Sequence, residues 1–142
     1  MGHEVEAVER HPVIHFLLES SIEHASHHPV LGPVMGDRLV PLLADSIDIL
    51  REHDPVDVVY LDPMFGDDHR GSALPKKKAQ LLRRLAGPPG SVRDLFDAAV
   101  SCSTRRVVVK RSTGDAPLVS DPDLQVSGKI ARYDIYLTGA PG

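Results

Sequence analysis

The sequence predicts an α/β protein with a mostly parallel sheet and an antiparallel strand pair at its carboxyl end. Three observations carry that expectation. Short β-branched runs alternate with helical stretches. Val56-Asp57-Val58-Val59-Tyr60-Leu61 is nearly continuous in apolar residues. The last two β-prone runs are joined through Ser127-Gly128. Strands alternating with helices imply right-handed crossovers and parallel pairing. A near-continuous β-branched run suits a strand covered on both faces.

The elements follow in order. Val5 to Val8 is β-prone and ends at Glu9-Arg10. Pro12 opens a helix, because proline is tolerated in the first turn. Val13, Phe16, Leu17, Ser20 and Ser21 recur at helical spacing through about His27. Pro29, Gly32, Pro33 and Gly36 predict a loop. Arg38 to Leu43 reads as a second strand. Asp45 or Ser46 caps a helix over Ile47–His53, with Ile47, Ile49 and Leu50 inward. After the Asp54-Pro55 break comes the strand Val56–Leu61. Phe65 to Ala73 predicts a loop, and Lys76 to Leu85 a helix ending at Gly87-Pro88-Pro89-Gly90. Ser91 caps another helix through about Ser101, with Val92, Leu95, Phe96 and Ala99 inward. Arg106–Lys110, Leu124–Val126 and Arg132–Leu137 complete the strands.

The chain has 142 residues, of which 42% are apolar and 25% charged, which fits one soluble domain. No run of 18 apolar residues offers a membrane span. The start, Met1-Gly2-His3-Glu4-Val5-Glu6, is acidic where a signal peptide is basic. Cys102 is the single cysteine, which excludes an intrachain disulfide and suggests a reduced, cytoplasmic setting. A net charge of −4 does not mark a nucleic-acid binder, so any such contact needs a local basic patch.

Ligands of parallel sheets bind beyond the carboxyl ends of the strands. That rule gathers Glu9 and Arg10, Asp45 and Ser46, Asp62, and Lys110 and Arg111 at one rim. The most informative segment is Asp62-Pro63-Met64-Phe65. The Asp62 carboxylate and the Pro63 carbonyl are both acceptors for an exocyclic amino group. Such an amine is a poor nucleophile because its lone pair is delocalised into the base. Acceptors aimed at its N–H bonds help that lone pair localise. Phe65 would stack on the base, at roughly 1–3 kcal/mol, offsetting the few kcal/mol needed to unstack it. The plainer alternative is a proline turn after a strand, with Phe65 in the core.

Val58-Val59-Tyr60-Leu61-Asp62-Pro63-Met64-Phe65, with Ser72-Ala73-Leu74 and Lys76-Lys77, resembles the ribosomal RNA small subunit methyltransferase J family. So do Val8-Glu9-Arg10-His11-Pro12-Val13, Arg106-Val107-Val108-Val109-Lys110-Arg111 and Tyr133-Asp134-Ile135-Tyr136. These matches run in order across essentially the whole chain. The resemblance implies a Rossmann-like class I methyltransferase sheet, S-adenosylmethionine as cofactor, and methylation of a guanine N2 amino group in 16S rRNA. By position, Glu9 and Arg10 match the family's cofactor-contacting pair, and an acidic strand end suits ribose hydroxyls. Asp45 and Ser46 match small polar residues beside the adenine; a simple helix cap is the competing role of Asp45. Asp62 matches the active-site aspartate, which also contacts the cofactor. Implied partners are 16S rRNA or the small ribosomal subunit, with no membrane.

Two departures stand out. Gly66-Asp67-Asp68-His69-Arg70-Gly71 is more acidic than the family's substrate loop, and His11 replaces an Asn. The family's glycine-rich cofactor turn lies upstream of what matches Glu4, and no Gly-x-Gly occurs in this chain. The sequence therefore reads as a methyltransferase domain truncated at its amino terminus. The strand carrying that turn would lie centrally, between the first and third strands present here.

Other polar groups have weaker claims. Lys76, Lys77 and Lys78 with Arg83 and Arg84 suit rRNA phosphates, or simply a solvated helix face; Lys110 and Arg111 are better placed for the substrate rim. His24, His27 and His28 share a helical spacing, but surface imidazoles are the plainer reading and no metal is expected. Asp62, Asp67, Asp68 and His69 leave a metal-dependent phosphoesterase as one alternative function. A non-catalytic RNA-binding remnant is the other. Cys102 reads as a buried small hydrophobe.

Without a glycine-rich turn, backbone cannot approach the methionine part of the cofactor closely. The 142-residue chain alone is expected to bind S-adenosylmethionine weakly or not at all, and to self-associate or pair with a missing segment through unpaired strand edges. Calorimetric titration checks this: a low-micromolar dissociation constant, about −8 kcal/mol, from a monomer would contradict it.

Overall fold

The structure, a computed structural model, describes residues 2–35, 38–63 and 92–139. The expected loop at 65–73, the helix at 76–85 and the Ser91 cap lie outside them. The chain divides into two compact units, Met1–Ile49 and Leu50–Gly142.

The first unit contains β1 (Val5–Glu9), α1 (Pro12–Ser26), α2 (Gly32–Met35) and β2 (Leu39–Leu43). It also holds the start of α3 (Ser46–Glu52), which carries the chain into the second unit. β1 and β2 pair in parallel from Val5↔Leu39 to Glu9↔Leu43. His11 caps α1: its Nδ1 accepts from the Val13 N–H at 3.3 Å. Pro12 occupies the first turn as expected, where its missing N–H costs nothing.

Two expectations fail in this unit. The inward stripe of α1 is not Val13, Phe16, Leu17, Ser20 and Ser21. Phe16 is 64% exposed and Leu17 53%, while His15 is buried and Ile14, Leu18, Ile22 and Ala25 are half-buried. Both sets have helical spacing, so periodicity alone does not choose between them. Ser20 and Ser21 instead donate to the carbonyls of Phe16 and Leu17. The expected loop at 29–36 contains the one-turn helix α2. His28 Nδ1 accepts from Val30 and Leu31 N–H and turns the chain, and Gly32 N donates to the His28 carbonyl at 2.8 Å. A Cβ at Gly32 would stand 2.2 Å from the Ser26 carbonyl oxygen, so only glycine fits there.

The second unit contains β3 (Val56–Leu61), α4 (Val92–Cys102), β4 (Ser103–Ser112), β5 (Leu124–Ser127) and β6 (Ala131–Leu137). Its sheet order is β3-β4-β6-β5. β3 and β4 are parallel, whereas β6 is antiparallel to both β4 and β5. The mixed α/β class and the antiparallel closing pair agree with the sequence reading.

β4 is longer than expected, because it starts directly from the end of α4. Its register against β3 shifts between Val56 and Val58. Hydroxyls occupy the irregularity: Ser103 Oγ donates to the Arg106 carbonyl at 2.7 Å, and Thr104 Oγ1 to the Val56 carbonyl at 3.2 Å.

The core lies on one face of this sheet. Val59, Val107 and Tyr136 form one cross-strand row, and Leu61, Val109 and Asp134 form the next. Phe96 and Ala99 of α4 pack against them, with the Phe96 and Tyr136 rings edge to face at 4.8 Å. Val92, Leu95, Phe96 and Ala99 all turn inward to some degree, as the helical spacing predicts. Cys102 is buried. On the opposite face Val58 is 43% exposed and Tyr60 53%, so among the described residues β3 is covered on one side.

Asp134 is fully buried within this core. Arg132 donates to both of its carboxylate oxygens, at 2.7 and 2.9 Å, and Gln125 Nε2 donates at 2.8 Å. Burial pushes the carboxyl upward, but these hydrogen bonds and the charges of Arg132 and Arg111 outweigh it and hold it below 3.8. The sign follows directly. The stabilisation is complete above the unfolded value of 3.8 and is lost as pH falls through the lower folded value.

Asp134→Asn should cost about 3–5 kcal/mol at neutral pH, because Arg132 is left buried without its partner. It should also flatten the acid limb of stability. Gln125→Ala should cost only about 1 kcal/mol. Urea unfolding followed by circular dichroism between pH 2 and 7 checks all three.

Candidate active site

In the first unit, parallel pairing brings Glu9 and Leu43 level at the carboxyl ends of β1 and β2. Glu9 Oε1 accepts from the His11 N–H at 2.7 Å, which holds the carboxylate at the start of α1. Arg10 beside it is exposed. Asp45 follows β2 by two residues. Its Oδ1 accepts from the Ile47 N–H at 2.9 Å, and its carbonyl accepts from the Ile49 N–H, so Asp45 is the N-cap of α3. Ser46 is the first residue of that helix. Glu9, Arg10, Asp45 and Ser46 thus stand together at one rim of the β1–β2 pair. Each capping carboxylate uses one oxygen locally, and a carboxylate has two.

In the second unit, Asp62 follows the register pair Leu61↔Val109, and Lys110 follows it on the neighbouring strand. Lys110 Nζ donates to Asp62 Oδ2 at 2.8 Å. This hydrogen bond raises Lys110 above 10.5, against a smaller opposing effect of desolvation. Tyr60 is also raised above 10.0, first by burial and then by the Asp62 charge. Tyr133 lies directly across from Lys110. Asp62, Lys110, Tyr60 and Tyr133 therefore form one electrostatically linked cluster at the end of β3. The sequence reading named the two tyrosines in its motifs but gave them no role at the site. Their signal was available in the β-strand alternation, which puts Tyr60 and Val58 on one face.

Pro63 follows Asp62 and is half-buried. Phe65, Lys76 and Lys77 lie outside the described residues. Arg111 does not join Lys110 at the rim. Successive strand residues point to opposite faces. Arg111 Nε donates to the Ala116 carbonyl at 3.1 Å, and its Nη2 lies 3.8 Å from Asp115, with the side chain 12% exposed.

The three histidines do not converge. His27 Nδ1 hydrogen-bonds to the Glu23 carbonyl, and His28 Nδ1 serves the backbone of Val30 and Leu31. Among the described residues, no group of three His, Cys, Asp or Glu side chains is arranged to hold a metal ion. No helix among them is long and apolar enough to cross a membrane.

The donor set fits an adenosine moiety. It offers two strand-end carboxylates at one parallel rim, each an acceptor for hydroxyl or amino hydrogens.

Asp45→Ala should lower stability by about 1 kcal/mol through loss of the cap, while Asp45→Asn should retain most of it. Lys110→Met should cost less than about 1 kcal/mol, because the ion pair is half-exposed. Urea denaturation of the three variants measures both.

The family model described as "Putative SAM-dependent methyltransferase" matches residues 1–138. Ribosomal RNA small subunit methyltransferase J of Marinobacter nauticus is 40% identical over 141 residues, covering 96% of this chain and 49% of the relative. The protein of that name from Pseudomonas aeruginosa strain UCBPP-PA14 is 42% identical over 147 residues, covering 100% of this chain and 55% of the relative. The chain thus spans about half the length of the curated relatives it matches. The crystal structure of a SAM-dependent methyltransferase from Neisseria gonorrhoeae superposes with a TM-score of 0.66 at 28% identity, over 96% of this chain and 54% of that one. A strand-end Asp-Pro, a rim of carboxylates and a family match over nearly every residue coincide, and the chain belongs to the SAM-dependent methyltransferase family.

Proposed function

We propose that this chain is part of an enzyme that methylates the exocyclic N2 amino group of a guanine in 16S rRNA, alone or within the small ribosomal subunit, in the cytoplasm. The observation that carries this reading is Asp62 at the end of the half-covered strand β3. It is followed by Pro63 and held by Lys110 at 2.8 Å. The similarity to proteins named for small-subunit rRNA methylation supplies the substrate class.

S-adenosylmethionine supplies an electrophilic methyl group on a sulfonium sulfur. Glu9 would accept hydrogen bonds from its ribose hydroxyls, with Arg10 beside it, and Asp45 with Ser46 would address the adenine amino group. Asp62 and the Pro63 carbonyl would accept the two N–H bonds of the guanine amine, which helps its lone pair localise for attack on a methyl group. Bound there, the cofactor would supply its methyl group to that nitrogen and keep the carbon–sulfur electron pair. The surplus amine proton passes to solvent by way of Asp62. No covalent enzyme intermediate is needed. Orientation and aimed acceptors supply the rate enhancement.

Phe65 stacks on the flipped base, and Lys76 and Lys77 contact RNA phosphates in this reading. Arg111 is left out, because its guanidinium is committed to Asp115 and Ala116. A second copy or an upstream segment supplies the close-approach turn for the methionine end of the cofactor.

Asp62→Ala should lower methyl transfer to undermethylated small subunits by about 10²–10³ while the fold is kept. Near-wild-type turnover by the folded variant would refute the role.

A further inference from the structure

We propose that Lys110 is a positioning residue for Asp62: its ammonium holds one carboxylate oxygen so that the other is presented to the N–H of a guanine amine. The inference rests on the reading of Asp62 as an amine acceptor and goes beyond it. It reassigns Lys110 from the phosphate backbone to the recognition of the base.

The geometry is specific. Lys110 Nζ lies 2.8 Å from Oδ2 of Asp62. The two residues come from parallel strands and sit one step past the same register pair, Leu61↔Val109. Asp62 lies beyond the end of β3, where no ladder holds its side chain. A carboxylate there samples several rotamers unless something fixes it.

Stability is a poor explanation for the pair. The Lys110 side chain is 39% exposed and that of Asp62 50%. An ion pair so exposed contributes at most about 1 kcal/mol to folding. That exposure leaves the carboxylate open to a ligand. Asp134 shows the contrasting arrangement in the same sheet: fully buried, with both oxygens taken by Arg132. Asp62 has one oxygen committed to a lysine, which is a point charge and does not grip both oxygens as a guanidinium does.

Tyr60 and Tyr133 complete the setting. Tyr133 faces Lys110 across the β4–β6 ladder, and Tyr60 precedes Asp62 by two positions. Lys110 is held above 10.5, first by its hydrogen bond to Asp62, so the ammonium is charged at neutral pH.

The test compares binding of guanosine monophosphate with inosine monophosphate, which lacks the exocyclic amine, to the full chain by saturation-transfer NMR. The wild type should favour the guanine nucleotide by about fivefold, the worth of one net hydrogen bond. Lys110→Met should abolish that preference, and Lys110→Arg should restore at least half of it; both are compared with Asp62→Asn. A preference kept by Lys110→Met but lost by Asp62→Asn would overturn the role of Lys110 and leave the amine reading standing. A preference lost alike in Lys110→Met and Lys110→Arg would also overturn it. No preference in the wild type would overturn the amine reading and this inference with it.

Discussion

The parallel register between β3 and β4 sets everything else in the second unit. Leu61 lies level with Val109, and Val59 with Val107. A slip of one residue would turn Val107 and Val109 away from Phe96 and Ala99. It would also carry Lys110 to the face that packs on α4. The same pairing that buries the core thus delivers an ammonium to Asp62. The Ser103 and Thr104 hydroxyls make the register workable by taking carbonyls at the irregular start of the ladder.

Charges in this sheet divide by face. On the covered face, Asp134 has both oxygens taken by donors from Arg132 and Gln125, and a buried carboxylate survives only when it is so paired. Its network ties β5 to β6, and Tyr136 reaches the Val119 carbonyl at 2.6 Å, anchoring the connection between β4 and β5. On the open face, Lys110 and Asp62 pair in partial contact with solvent. The first arrangement is rigid and structural. The second leaves both side chains partly exposed.

In the first unit two strand-end carboxylates serve local structure. Glu9 takes the His11 N–H and Asp45 the Ile47 N–H. Both lie where a strand ends and a helix begins, where unpaired N–H groups gather and where parallel sheets bind ligands. His11 accepts from the Val13 N–H through Nδ1, so an imidazole caps α1.

Local chemistry was legible in the sequence by itself. The Pro12 start of α1, the Asp45 cap, the inward face of α4 and the strand ending at Asp62 all follow from short-range rules. Each depends on neighbours within about four residues. The family match rested on the same kind of signal, motifs in order. What tertiary structure decided is which of two competing patterns was buried and which charges met. The stripe from Ile14 to Ala25 won over the one starting at Val13 because β1 and β2 lie on that side of α1. Arg111 turned to Asp115 while Lys110 met Asp62, because strand neighbours face opposite ways and the register sets which face holds the partner. Arg132 and Gln125 converged on Asp134 across two strands, and no spacing along the chain encodes a cross-strand pairing.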